Sequence, residues 1–201
     1  DVMRFLDNVL SDFINKAPDQ FKDAKYSAER ERSVGLGVMG FHSFLQQKRI
    51  PLESVMAKSW NKKIFKNIHE KVNQASKDLA EERGACPDAA EYGFKERFSN
   101  KTAIAPTASI SIICGGASPG VEPIAANSYT HKTLSGSFNV RNKYLAKLLD
   151  KHSKNDDETW SGITTNQGSV SHLDFLTQEE KDVFKTAFEL DQRWVIDLGA
   201  D

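Results

Sequence analysis

The chain has 201 residues, 39% of them hydrophobic and 27% charged, and its 27 Lys and Arg residues nearly balance 28 Asp and Glu residues. A chain of this length can bury a sizeable core, whereas the balanced charge argues against the basic surface that holds a nucleic acid. No apolar run approaches the ~20 residues that cross a bilayer, and the first residues lack the pattern of a secretory signal. We therefore expect a cytoplasmic protein that binds neither nucleic acid nor membrane.

The cysteines and histidines show no metal-binding spacing. Cys86 and Cys114 lie far apart and form no C-x-x-C pair, and a reducing cytosol would keep both as thiols. The five histidines are scattered, with no pair at the spacing of a zinc site. The sequence therefore predicts structural cysteines and no metal.

The first half of the chain is predicted to be helical. Apolar residues recur every three or four positions over 2–14 and over 53–82, which is the period of an amphipathic helix. Pro18 and Gly84 follow these segments as stop signals, and a serine is placed to cap a further helix over 33–45. Because the first apolar stripe is present from the start, we expect both ends of the sequence to be boundaries within a longer protein.

The second half mixes strands, loops and helices. Residues 102–105 are a strand candidate that ends at Pro106, and the glycines of 115–120 mark a tight loop. Strands are expected over 129–140, with a reversal at Ser135–Gly136. The remaining expected elements are a helix over 142–152, a solvated surface loop over 154–158, and a final helix that opens with a capping box at Thr177 and continues through Ile196.

One glycine motif suggests a nucleotide site. Residues 35–40 fit G-x-G-x-x-G, by which a dinucleotide-binding fold approaches a pyrophosphate. That mechanism requires a buried strand before the first glycine, but residues 29–32 are all charged. We favour the alternative that these glycines allow close packing of helices. A strand over residues 22–32 would support a nicotinamide-dependent dehydrogenase, and a helix or loop there would exclude it.

The stretch 102–111 is a better candidate for chemistry. A strand that ends at a proline and continues into small hydroxyl residues can present the free N–H groups of a helix start to an anion. Thr107, Ser109 and Ser111 would add hydroxyl donors, so that a phosphate could be bound without a lysine. Pattern alone also allows an ordinary Ser/Thr-capped helix in a noncatalytic helical interaction module.

A family resemblance favours the phosphate site. Several segments resemble, in the same order, landmarks of ribonucleotide reductase large subunits, including the R-S-x-G-x-G-x-x-G pattern and the phosphate loop that a G-x-E-P sequence follows. These segments are Arg32–Phe41, Gly84–Pro87, Ala105–Ser109, Gly120–Pro123, Tyr129–Gly136 and Phe184–Asp201.

The resemblance implies a mainly helical α/β fold that forms part of a ten-stranded α/β barrel. We expect 1–201 to be a single incomplete domain, with a helical part over 1–88 and a mixed part over 89–201 that holds the phosphate loop. In the family, a cysteine thiyl radical on a finger loop removes the 3'-hydrogen of a ribonucleotide, and a cysteine pair reduces the 2'-carbon.

The resemblance also implies a substrate site. Thr107, Ala108, Ser109 and Ile110 would line the phosphate pocket of a ribonucleoside diphosphate or triphosphate, with Pro106 near the base or sugar. Many members have Ser or Thr where this chain has Ile110, which would therefore contribute only its backbone N–H.

The family's radical-bearing pattern, with Asn, Cys and Glu at alternate positions, is absent from this sequence. We therefore expect no catalytic residue and no bound cofactor in this segment, and no turnover by it alone. The parent enzyme needs a radical generator, either a di-metal partner subunit or cobalamin. Expected partners are the substrate, the remainder of the large subunit and the small radical-generating subunit, and apolar faces made for absent segments are expected to drive self-association.

Overall fold

The computed structural model describes residues 1–133 and 136–201. The chain is mainly helical. The helices are α1 Val2–Lys16, α2 Lys22–Glu31, α3 Phe41–Gln47, α4 Val55–Arg83, α5 Pro87–Glu91, α6 Ala108–Ile113, α7 Lys143–Lys151, α8 Asp157–Thr165, α9 Gln178–Val183 and α10 Gln192–Ala200, with a short 3-10 turn at Asp19–Phe21. The strands β1 Ser128–Thr133 and β2 Gly136–Arg141 pair antiparallel, with Ser128 opposite Arg141.

Contacts divide the chain into two units. The first unit comprises residues 1–37 and 63–104, and the second comprises residues 38–62 and 105–201. Each unit is therefore built from two stretches of the sequence. Within the described residues, no helix is both long and apolar enough to cross a membrane.

Several sequence predictions are confirmed. The helices α1, α4 and α7 occupy the segments with helical periodicity. Gly84, at φ 88°, follows α4 and donates its N–H to Ala80 O, as a left-handed C-terminal residue should. The capping box is present at the start of α9, where the Thr177 side chain accepts from Glu180 N and the Glu180 carboxylate accepts from Thr177 N.

The helix expected over 33–45 is wrong in its first half. Arg32 takes a left-handed conformation at φ 46° and ends α2, and no helix follows until α3 begins at Phe41. Leu36 donates to Lys101 O and accepts from Ala103 N. Hydrogen bonds to a segment far along the chain thus replace those of a local helix.

The strand expected over 102–105 is reduced to one isolated parallel bridge between Thr102 and Leu36. Of the expected reversal at Ser135–Gly136, Ser135 lies outside the described residues and Gly136 begins β2.

Two further boundaries differ because polar side chains start new helices. The loop expected over 154–158 is confirmed only as far as Asp156, because the Asp156 carboxylate accepts from Thr159 N and starts α8 at Asp157. The single final helix is interrupted between α9 and α10. There Glu189 accepts from both N and Oγ1 of Thr186, and Asp191 caps α10.

The first unit is organised around the carboxylate of Asp7, which is fully buried. Arg32, Arg83 and Arg97 all donate to it, at 2.7–2.9 Å in their shortest contacts. Burial by itself raises the pKa of Asp7, but hydrogen bonds from these guanidinium groups outweigh it and hold the pKa below its ordinary value. The apolar core of this unit consists of Met3, Val34, Val72, Leu79 and Phe98.

The core of the second unit includes residues of α7 and α8. Hydrogen-bonded amide side chains connect the β1–β2 hairpin to the rest of this unit. Asn127 precedes β1 and donates to Gly168 O and Phe184 O, while Asn142 follows β2 and donates to Asn127 Oδ1 and to Gln46 Oε1. Both ends of the hairpin are thereby fixed. The core residues are Leu145, Leu148, Leu149, Trp160, Ile163, Val170, Leu173, Leu176, Val183 and Phe184.

We predict that D7N lowers the free energy of unfolding by about 3–5 kcal/mol, because three guanidinium groups lose the buried carboxylate that they share. Urea unfolding of both proteins measures the difference. The matched control is D12N, since Asp12 lies on the same helix and its exposed pair with Lys16 should contribute less than about 1 kcal/mol. Equal effects of the two substitutions would contradict the importance of the buried cluster.

His42 generates a second prediction. It is buried on α3, its Nδ1 accepts from Ile124 N at 3.1 Å, and burial lowers its pKa to about 4. Between about pH 6.5 and 4 the unfolded chain binds a proton at this side chain and the folded chain does not, so stability falls as the pH falls, by about 3 kcal/mol in all.

The comparison that isolates this effect is H42Q, whose amide oxygen can still accept from Ile124 N but cannot be protonated in this range. Thermal unfolding between pH 7 and pH 4 should show a smaller loss for H42Q than for the unsubstituted chain, because the carboxylates titrate alike in both. Parallel curves would refute the proposed role of His42.

Candidate functional site

The peptide after Pro106 turns abruptly into the short helix α6. Thr107 precedes the helix in a left-handed conformation, at φ 50° and ψ 28°. This region is unfavourable for a β-branched residue. Backbone strain of this kind is stored at binding and catalytic sites, so the turn at Thr107 marks the loop as a candidate site.

The hydroxyl of Thr107 does not cap α6. Instead, it accepts a hydrogen bond of 2.7 Å from Gly120 N, thirteen residues later. Gly120 has φ 49°, and a Cβ at this position would lie 2.7 Å from Ala105 O. The hydrogen bond between Gly120 N and Thr107 Oγ1 therefore closes the loop, and we call this contact its neck. Only a glycine at position 120 allows it.

Three backbone donors remain at the start of α6. Among the described residues, none accepts a hydrogen bond from the amides of Ala108, Ser109 or Ile110. The first amides of a helix have no partner within the helix and carry partial positive charge. Since all three residues are exposed, these amides can receive an anion from solvent.

The structure separates the hydroxyl groups that the sequence grouped together. Ser109 is exposed, whereas Ser111 is buried and donates to Ala108 O at 2.8 Å. The expected contribution of Ser111 to anion binding is therefore wrong, since its proton satisfies the helix backbone. Ile110 is 56% exposed, and no Lys or Arg occurs between residues 102 and 120.

The glycines of 35–40 have a packing role. Residues Lys22–Glu31 form a helix, which removes the dehydrogenase alternative. A Cβ at Gly35 would lie 2.9 Å from Ala103 Cβ, and a Cβ at Gly37 would lie 2.9 Å from Ala103 O. These glycines allow two extended segments, rather than two helices, to approach closely.

Neither cysteine belongs to the candidate loop at Pro106–Ile110. Cys86 is fully buried before α5, and Cys114 is exposed after α6. Over the described ranges 1–133 and 136–201, no group of three or more His, Cys, Asp or Glu side chains is arranged to hold a metal ion.

The first unit has an open groove of about 410 Å³ at the end of α1, lined by residues that include Val9, Phe13 and Phe21. Its charged groups, Asp12 and Lys16, pair with each other. The groove therefore offers no convergent polar groups to a ligand.

Known proteins are similar to this chain along its whole length. The family model described as "Ribonucleotide reductase, barrel domain" matches residues 1–96 and 88–201. The chain belongs to the ribonucleotide reductase barrel-domain family. The resemblance seen in the sequence is thereby confirmed.

Two viral relatives and one solved structure show how closely the chain follows the ribonucleotide reductase family. The ribonucleoside-diphosphate reductase large subunit of Invertebrate iridescent virus 6 is 48% identical over 100% of this chain and 21% of that protein. The corresponding protein of Invertebrate iridescent virus 3 is 46% identical over 100% of this chain and 32% of that protein. The Actinobacillus ureae class Id ribonucleotide reductase alpha subunit has a TM-score of 0.90 at 40% identity, covering 99% of this chain and 36% of that one.

The chain thus spans about a fifth to a third of the length of these reductase relatives. What the sequence missed within this span is the role of Gly120. Gly120 belongs to a family landmark in the sequence, but its contact with Thr107 follows only from the folded backbone. The G-x-E-P pattern was the one signal that pointed to it.

We predict that G120A opens the neck of the loop, because the added Cβ collides with Ala105 O and the left-handed backbone disfavours alanine. Stability should fall by about 1–3 kcal/mol, and the backbone amide resonances of Thr107–Ser111 should shift. The control is G199A: Gly199 lies in α10 with nothing within 4 Å of an added Cβ. Alanine there should be neutral or stabilising by up to about 1 kcal/mol, and a similar result at both glycines would contradict the neck contact.

Proposed function

We propose that this chain is part of the catalytic large subunit of a ribonucleotide reductase and that Thr107–Ile110 holds the phosphates of the ribonucleotide substrate. The observation that carries the proposal is the set of unpaired, exposed amides of Ala108, Ser109 and Ile110 behind the strained turn at Thr107. Family membership supports it, as do relatives named ribonucleoside-diphosphate reductases.

Each residue has a distinct role in this proposal. The amides of Ala108, Ser109 and Ile110 donate to phosphate oxygens, and Ile110 contributes its backbone alone. The Ser109 hydroxyl adds a donor. Because Thr107 Oγ1 accepts from Gly120 N, its own proton remains available to a phosphate oxygen. Pro106 lies beside the sugar or base.

The radical chemistry is assigned to other parts of the enzyme. Neither Cys86 nor Cys114 has the Asn and Glu neighbours of the radical-bearing pattern, so the thiyl radical, the reducing cysteine pair and the radical generator lie outside this chain. The generator is a di-metal partner subunit or cobalamin. The parallel bridge between Leu36 and Thr102 supports assigning those segments to two strands of the ten-stranded barrel. Radical chemistry needs a closed, water-excluding site.

We predict that a ribonucleoside diphosphate binds the isolated chain weakly, with a dissociation constant on the order of 1 mM, and shifts the amide resonances of Thr107–Ser111 in a nuclear magnetic resonance titration. S109A should weaken binding several-fold because one hydroxyl donor is lost. S161A, which changes an exposed serine on α8, should leave the affinity unchanged. A parallel titration with a ribonucleoside triphosphate compares the two substrate classes.

If the amides of Thr107–Ser111 do not respond, the phosphate site is refuted and a noncatalytic helical interaction module is the better interpretation.

We also predict that the isolated chain forms no deoxyribonucleotide from a ribonucleotide and a dithiol reductant. The physical reason is that it has no cysteine in the radical-bearing pattern. A radiolabelled-substrate assay measures the product, with a complete ribonucleotide reductase as the positive control. Product formation by the chain alone would show that the radical site has been misassigned.

A further inference from the structure

The start of helix α3 is capped by the segment that follows the phosphate loop. Gly40 precedes α3 and has no side chain with which to cap it. The first amides are satisfied from residues 118–120: Gly40 N donates to Ser118 O at 2.9 Å, and Ser43 N donates to Ser118 Oγ at 3.1 Å. The position of this segment therefore depends on α3.

The contact between Ser43 and Ser118 is reciprocal. Ser118 N donates in turn to Ser43 Oγ at 2.8 Å, so each hydroxyl accepts from the other residue's backbone. Both residues are buried, with 5% of Ser43 and 0% of Ser118 exposed. Water cannot readily replace either partner, and a lost hydroxyl would leave a buried amide unpaired.

Only Pro119 separates this pair from Gly120, whose amide closes the phosphate loop. The ring of Pro119 restricts the backbone between them. Gly120 N then donates to Thr107 Oγ1. After Gly120, Ile124 N donates to His42 Nδ1. Neighbouring residues of α3 thus fix the backbone before and after Gly120.

We propose that Ser43 is a positioning residue of the phosphate loop, acting through Ser118 and Gly120 on the Thr107 hydroxyl and the amides that follow it. The proposal rests on the function proposed above, since it assigns Ser43 a role in binding the same phosphates. Ser43 itself contacts no substrate. Its hydroxyl determines where the Gly120 amide lies, and that amide determines where Thr107 turns.

Hydrogen exchange and ligand titration on the 201-residue chain test this proposal together. In S43A, exchange of the Ser118 and Gly120 amides should accelerate about tenfold relative to the unsubstituted chain. Binding of inorganic pyrophosphate, followed at the amides of Thr107–Ser111, should weaken about five- to tenfold. Protection of the Leu148 and Ile163 amides in the core reports that the fold is intact.

Two further variants separate positioning from general destabilisation. S43T retains the hydroxyl and should restore both the slow exchange at Gly120 and the affinity. S169A removes a serine hydroxyl that bonds Ser171 and Glu189 in the same unit, and it should change neither quantity. If S43A does not fold, S118A removes the other hydroxyl of the pair and carries the same expectation.

Unchanged exchange at Gly120 in S43A, or in S118A if that variant is used, would overturn the proposal. So would equal losses in S43T and S43A, because the hydroxyl would then not be the group that matters. Exchange of the Ser118 and Gly120 amides in the unsubstituted chain at the rate of exposed amides would overturn it without any variant.

The two proposals fail in different ways. If pyrophosphate does not bind the unsubstituted chain, the phosphate site is refuted, and with it the substrate role of Ser43. The exchange measurement still decides whether Ser43 sets the position of Gly120. If pyrophosphate binds and S43A leaves both quantities unchanged, the site stands and the positioning role is refuted.

Discussion

The hydrogen bond from Gly120 N to the Thr107 hydroxyl constrains the rest of the candidate site. It draws together two points of the backbone thirteen residues apart and uses the oxygen that would otherwise cap α6. Because that oxygen accepts from Gly120 instead, the amide N–H groups of Ala108, Ser109 and Ile110 remain unpaired among the described residues. The contact requires a residue without a side chain, because a Cβ at position 120 would meet Ala105 O.

An anion at this loop meets neutral donors. The stretch 102–120 has no lysine or arginine, so the proposed phosphate binding would rely on amide and hydroxyl dipoles, which must point at the anion in a way that a point charge need not. Such a site depends on a backbone conformation that points its N–H groups at the anion. In the positioning role proposed for Ser43, the buried contacts of α3 with Ser118 therefore act on the loop without contacting the substrate. The charged side chains are used elsewhere: in the first unit, three arginines converge on Asp7 to hold helices and extended segments together.

Local periodicity predicted the helices well where one face of a helix meets the core. The segments that became α1, α4 and α7 have such faces, and the capping box at Thr177 marked a helix start correctly. The same reasoning failed over 33–40, where an apolar glycine-rich segment forms hydrogen bonds with residues 100–103. It also failed between α9 and α10, where the side chain of Glu189 satisfies the backbone of Thr186 and interrupts the helical pattern.

The sequence by itself determined the family and most of the helical segments, because residue types and their spacing carry that information directly, and it generated the prediction of a phosphate-binding peptide. It did not determine which hydroxyls face solvent. Ser109 and Ser111 are equivalent in the pattern, yet one is exposed and the other donates to Ala108 O. Nor could it pair Ser43 with Ser118, or Gly120 with Thr107. Contacts between residues distant in sequence depend on where the folded backbone brings them, and only the tertiary structure decides that.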